Sequence, residues 1–459
     1  MHILHSHKTT IITFILCGIL MILFSCASNP SLTDKGRKEF SPLLPYTMKK
    51  LPNGLTVIVK EVHTSPIVAV HFWCNTGSVN EEKFPAGISH FFEHMFFKGT
   101  EKMGVGEMDR IVKSLGGYNN AFTSKEYTGY YIVVPSENYS VAFDILLDAI
   151  RNSVFDPQEI EREREVINEE INRAEDLPDS KVHNELYEIL FQGTPYAPPV
   201  LGTKESLASL GRDDFKRYLG TFYVPNNITV VVVGDISEKK IIGQIEKATE
   251  DWKMNPSVKE QFVRFTFDPQ DTVRSHELNR DINLVYWALG FSNRGLQNRR
   301  ELYTLDVVTS ILGEGRSSSL YRRLIEKEGL VSGVSCYIAP MKMGGAVIIN
   351  AVFPLENEEK VRQIVFEELA RMKEGQFTDE ELNRAKTMLK VDFAFDNETV
   401  SQIAQTFGYF VTVGHLENAL EYEKQIESVT RDEVITFCKE SFRFDAYSEV
   451  FIRPNDEAN

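Results

Sequence analysis

Thiols are scarce in this 459-residue chain: there are five cysteines, and none sits in a CxxC pair. That spacing offers neither a thiolate zinc site nor a disulfide framework. Cys74 closes the apolar run Val68–Trp73 and reads as core. Positive charge is also short. Lys and Arg number 50 against 66 Asp and Glu, a formal charge of −16. A nucleic-acid binder needs a basic face to meet phosphates, so that class is excluded. An acidic surface keeps a protein soluble and can steer basic peptides.

What remains is a globular composition, 42% hydrophobic and 25% charged. The length exceeds what one ordinary core organises, so two or more domains are expected. At the N-terminus Lys8 precedes an apolar run, Ile11–Phe24, the size of a signal-peptide core. It is shorter than the roughly 20 residues that span a bilayer. The run ends in Leu23-Phe24-Ser25-Cys26, which resembles a bacterial lipobox. Residues 1–26 are thus expected to be a lipoprotein signal, with Cys26 the lipidated first residue and an uncleaved anchor the alternative. Residues 27–45 read as a polar tether. The expected location is the bacterial cell envelope, lipid-anchored through Cys26; Ala27 after Cys26 favours the outer membrane, facing the periplasm.

The rest divides into two halves with one order of elements. In the first, Leu55–Lys60 and Ile67–Trp73 are β-branched and aromatic runs separated by Ser65-Pro66, which predicts paired strands. Helices are expected over His90–Phe97 and Gly106–Leu115, then a strand over Tyr127–Val134. Helices over Tyr139–Asn152 and Pro157–Ala174 follow. In the second half the order returns: a strand over Ile282–Leu289, and helices over Arg299–Leu312 and Ser318–Glu326. Strands are then expected over Val334–Ile338 and Gly345–Val352, and helices over Glu358–Met372 and Asp379–Asp392. Asp156-Pro157 and Thr378-Asp379 open matching helices with cap chemistry. The fold class is α+β, two duplicated sandwich domains with antiparallel-rich sheets covered by helices. The expected boundaries are 46–254, a linker at 255–270, and 271–455.

The chemistry lies in His90-Phe91-Phe92-Glu93-His94. Four residues apart on a helix, the two imidazoles share a face and reach one tetrahedral ion. Glu93 beside them is placed to take a proton from water. The order is the inverse of the commoner HExxH. A helix with two surface histidines would show the same string, so a third ligand matters. In Pro157–Ala174 the residues Ile160, Ile167, Ile171 and Ala174 form one apolar stripe, with Glu163 and Glu170 on its flank. Glu161, Glu165 and Glu169 point away. A carboxylate turned toward a core is costly unless paired or metal-bound. Glu170 is the expected third ligand, with Glu169 second choice, and Glu163 the partner that orients a ligand histidine. His63, His71, His183, His276 and His415 have no partner at ligand spacing and read as structural or surface residues.

Together these residues resemble the pitrilysin or insulinase family of zinc metallopeptidases, most of all the catalytic subunit of the mitochondrial processing peptidase and its bacterial relatives. The stretch Gly87–Thr100 resembles the family signature, and Gly116-Gly117, Asn120–Thr123 and Thr128-Gly129-Tyr130 resemble its GGxxNAxT and TxY pattern. Glu170 also falls where the family places its third ligand. The resemblance implies one zinc ion per chain, with Glu93 as general base. It implies an inactive second domain and a substrate peptide lying along Asn120, Ala121, Phe122 and Thr123 as an added strand. One departure stands out. In Leu324–Ser332, Ile325 and Ser332 occupy the places of an arginine and a tyrosine that support the oxyanion in members working alone. The resemblance therefore implies a heteromer whose homologous partner lacks HxxEH but carries that pair; a homodimer is the second choice. The alternative function is a non-catalytic peptide-binding or scaffold member of the family.

Overall fold

The computed structural model describes residues 41–295 and 299–455. The expected signal segment, Cys26 and most of the tether lie outside the described residues. Leu43 is fully buried, so the packed chain already includes residues that polar composition assigned to the tether.

Among the described residues, eleven strands form two sheets. They are β1 (Thr47–Lys50), β2 (Thr56–Glu61), β3 (Ile67–Cys74), β4 (Tyr118–Thr123), β5 (Thr128–Pro135) and β6 (Ile228–Gly234) in the first. The second holds β7 (Arg274–Arg280), β8 (Val285–Asn293), β9 (Gly333–Pro340), β10 (Gly345–Phe353) and β11 (Ser448–Pro454). The orders are β1-β2-β6-β3-β5-β4 and β7-β11-β8-β10-β9. Dropping β1, the two orders correspond strand for strand. Each has one parallel pair, β2 with β6 and β7 with β11, and antiparallel neighbours elsewhere. The duplication is therefore topological.

The helices of the first half are α1 (Ile88–Phe96), α2 (Glu107–Ser114), α3 (Tyr139–Asn152), α4 (Pro157–Asp176) and α5 (Pro178–Leu190), then shorter ones before β6 and a last one, Glu238–Ala248. Helices Glu358–Lys373, Asp379–Phe395 and Val400–Val413 repeat the α3, α4, α5 order in the second half. The third helix of each triplet crosses over. Val182, Leu186 and Leu190 of α5 pack with Ala288, Ile348 and Val450 of the second sheet. Val400, Ile403, Ala404 and Phe407 pack on Ile58, Ala69, Trp73 and Val231 of the first. This exchange explains why β3 beyond Ile67 and all of β6 are buried on both faces, with His71 and Thr229 among the covered residues.

Sequence periodicity located most of the central elements. It did not find β1, β6, β7, β11, α5, or the helices Arg212–Phe222, Glu238–Ala248, Val400–Val413 and Arg431–Ser441, and β4 was reached only through the family resemblance. The segment expected as a helix over 318–326 is a short helical turn, Ser319–Tyr321, running into a π-helix at Arg322–Lys327. No helix among the described residues is long and apolar enough to cross a membrane.

Candidate active site

The histidine helix α1 is amphipathic about its own axis. Ile88, Phe91, Phe92, Met95 and Phe96 are buried in the first core, leaving His90, Glu93 and His94 on the opposite side. Its start is fixed by Gly87, at φ 89°, where a Cβ would stand 2.6 Å from the Leu201 carbonyl oxygen. Glu81 closes the start: its two oxygens accept from the amides of Gly87 (2.7 Å) and Ser89 (2.8 Å). The Ser89 hydroxyl pairs with Tyr218 at 2.8 Å. Burial pushes the Glu81 carboxyl up to about 7, against the pull of those donors.

The second contributing helix, α4, begins at Asp156, whose side chain accepts from the amides of Gln158 and Glu159, with Pro157 in the first position. Ile160 and Ile167 are buried, as are Glu163 and Arg164, while Glu161, Glu165 and Glu169 are exposed. Arg164 donates to the carbonyls of Leu207 and Leu210 and lies over the Phe91 ring, pinning α4 against α1.

Between these helices His90, His94 and Glu170 converge, their candidate donor atoms all within 4.8 Å of one another. Glu170 Oε2 stands 3.7 Å from His90 Nε2 and 3.6 Å from His94 Nε2. Donors of a tetrahedral zinc site with bonds near 2.0–2.1 Å sit about 3.3 Å apart. Each Glu170–histidine separation is within a few tenths of an ångström of that spacing, and the donor set is the kind that zinc takes, so the residues fit zinc. It is the only such donor group among the described residues. The helix Asp379–Phe395, counterpart of α4, has Ala385 where α4 has Glu163 and Asp392 where it has Glu170.

The surroundings tune each group. His94 Nδ1 is 3.0 Å from Glu163 Oε2, and Lys98 Nζ is 2.5 Å from the other Glu163 oxygen. Burial alone would raise Glu163, but its bonds to His94 and Lys98 hold it below the usual carboxylate range. Burial likewise works against protonating His94, yet Glu163, Glu170 and Glu93 together raise it. His90 is pushed down to about 4 by burial and by the neighbouring His94, which favours a neutral imidazole with a free lone pair. Glu93 is raised by burial and held back by the Thr123 hydroxyl, which donates to its Oε2 at 2.5 Å.

Asn120, Ala121, Phe122 and Thr123 all lie on β4, the edge strand of the first sheet. Phe122 turns onto Trp73, with ring centroids 4.9 Å apart. Thr123, expected on the substrate strand alone, also touches Glu93. Sequence reasoning missed Lys98, Glu81 and Arg164. The first is one turn past His94 on the same face and was findable; the other two act through contacts across loops. Ile325 packs against the second core, and the Ser332 hydroxyl donates to the Val352 carbonyl at 3.1 Å.

A duplicated α+β fold with a two-histidine, one-carboxylate donor set and an adjacent half-buried glutamate defines a metallopeptidase class of the inverted-motif type. Residues 56–204 match the family model described as insulinase (peptidase family M16), and residues 209–389 match the M16 inactive domain. A protein of Rickettsia bellii named as an uncharacterized zinc protease is 30% identical over 413 residues, covering 90% of this chain and 98% of its own length. The probable mitochondrial-processing peptidase subunit beta of Arabidopsis thaliana is 26% identical, covering 83% and 73%. The crystal structure of a protease from Helicobacter pylori aligns with a TM-score of 0.84 at 25% identity, covering 89% of this chain and 99% of that one. The chain belongs to the M16 peptidase family.

Proposed function

We propose that this protein is a zinc-dependent endopeptidase that cuts peptides or unfolded segments of exported proteins. The observation that carries the reading is the convergence of His90, His94 and Glu170 beside the half-buried Glu93. Zinc held by those three would supply Lewis acidity, polarising a carbonyl and acidifying a water. Glu93 takes the proton of the attacking water and later returns it to the leaving amine. Glu163 fixes the orientation of the His94 ring. The substrate backbone adds to the edge of β4 along Asn120–Thr123.

At the two positions where the family resemblance puts oxyanion donors, the Ile325 side chain offers no donor and the Ser332 hydroxyl is engaged with Val352. This supports a heteromer with a homologous chain supplying arginine and tyrosine. Mixing the purified protein with such a homologue should raise hydrolysis well above that of either alone; full activity from this chain alone would count against the partner. The proposed setting is the bacterial envelope, with Cys26 carrying the lipid. Cys26→Ser should abolish labelling by a radioactive fatty acid.

The central test is Glu93→Gln. Zinc should remain bound at one per chain while hydrolysis disappears. A wild-type chain that holds no zinc, or a variant that still cleaves, ends the reading.

A further inference from the structure

Just past Thr123 the chain turns through Ser124–Tyr127, and a cavity of about 280 Å³ opens beside it. It is bordered by Thr123, Lys125, His183, Tyr187, Val200 and Leu201. Since the Thr123 hydroxyl bonds Glu93, this cavity starts next to the site where the peptide bond is cut. A neighbouring cavity of about 240 Å³ shares Ser124, Lys125 and Tyr187 and continues toward Ile338 and Tyr409 of the second half.

Among the described residues, Lys125 is the only lysine or arginine bordering either space. It is 9% exposed. Its ammonium donates to the Pro198 carbonyl and lies 5.8 Å from the centre of the Tyr187 ring. Among the described residues no carboxylate forms an ion pair with it. Glu81 acts on it only from a distance, and both Glu81 oxygens are taken by the amides of Gly87 and Ser89. Glu126, the one acid bordering the second cavity among the described residues, is spent on the Lys342 amide and the Tyr196 hydroxyl. His183 adds no negative charge; its Nδ1 pairs with the Tyr337 hydroxyl at 2.9 Å. A buried ammonium without a counter-ion is costly, and burial accordingly pushes it down to about 8. The cost is recovered if an anion enters the adjoining space.

We propose that Lys125 is a specificity-determining residue that receives a substrate carboxylate in the cavity beside Thr123. The carboxylate belongs either to an Asp or Glu side chain near the cleaved bond or to the free C-terminus of a peptide. This inference rests on the peptidase reading above. The acidic surface repels such peptides at long range, so the preference is local: it acts once the peptide is seated.

The test uses the full chain loaded with zinc and carrying Glu93→Gln, so that peptides bind without being cut and no partner is required for readout. Fluorescent peptides blocked at both ends are scanned with Glu or Gln at each position, and a third set carries Gln with a free C-terminus. At one position Glu should bind about 10- to 100-fold tighter than Gln, the worth of a charge-assisted hydrogen bond. Adding Lys125→Met should bring that ratio to about one while Gln peptides bind as before. Lys125→Gln, which keeps a donor for Pro198, should do the same with the local fold preserved. If the free C-terminus alone supplies the gain, the carboxylate is the terminal one. A Glu preference unchanged by both substitutions overturns the inference and leaves the peptidase reading standing. Binding of no peptide at all would sink both.

Discussion

Glu163 bridges His94 and Lys98, one oxygen 3.0 Å from the histidine Nδ1 and the other 2.5 Å from the ammonium. The bridge ties α4 to the far end of α1 and leaves His94 Nε2 as the atom facing Glu170. Glu163→Gln keeps an acceptor for His94 but removes the charge that balances Lys98. Zinc affinity should fall about 10- to 100-fold, the usual effect of losing a group that orients a ligand histidine. Competition with a chromogenic chelator measures it; an unchanged dissociation constant would show that packing alone holds the ring.

Thr123→Val removes one hydroxyl while keeping the shape of the side chain. That hydroxyl favours the ionised form of Glu93, opposing the rise caused by burial. Without it the carboxyl titrates at higher pH. Because the ionised form is the base, the acidic limb of the kcat/KM profile should move to higher pH, with the loss of rate greatest on the acid side. A limb that stays where it is would mean another donor replaces the hydroxyl.

Much of this site was legible in the sequence because its parts are local. His90, Glu93 and His94 lie within one helical turn, and the stripe Ile160, Ile167, Ile171 fixes which acids of α4 face inward. What escaped depends on partners far apart in the chain. Ser89 meets Tyr218 across 129 positions, and Lys342 donates to Glu126 across 216. The helix exchange was invisible for a related reason. The apolar face of α5 reports that something covers it, not that the covering sheet belongs to the other half.

Glu170 and Glu169 are adjacent in sequence, but only Glu170 joins the histidines; Glu169 is exposed and accepts from Asn172 at 3.2 Å. Glu170→Ala should leave the protein folded and largely metal-free after dialysis, because two protein ligands hold zinc far more weakly than three. Glu169→Ala should retain one zinc per chain. Metal analysis of the two variants separates them, and equal zinc contents would remove Glu170 from the site.

Gly408 sits inside the helix Val400–Val413, against the indole of Trp73. Helix propensity alone favours replacing it with alanine by about 1 kcal/mol. A Cβ there would stand 1.9 Å from Trp73 Nε1, and Trp73 is 1% exposed, so the ring has no room to yield. The clash outweighs propensity, and overpacking of this kind costs about 1–3 kcal/mol. Gly408→Val, larger still, should lower the thermal midpoint. The strain also reaches the site, since Trp73 packs on Phe122 of β4 and on Tyr127, with ring centroids 4.9 and 5.4 Å apart. Peptide affinity of the Glu93→Gln protein should therefore drop along with stability. A midpoint equal to that of the parent would show that the crossed-over helix slides freely over the first sheet, and that the exchange does not hold the two halves in register.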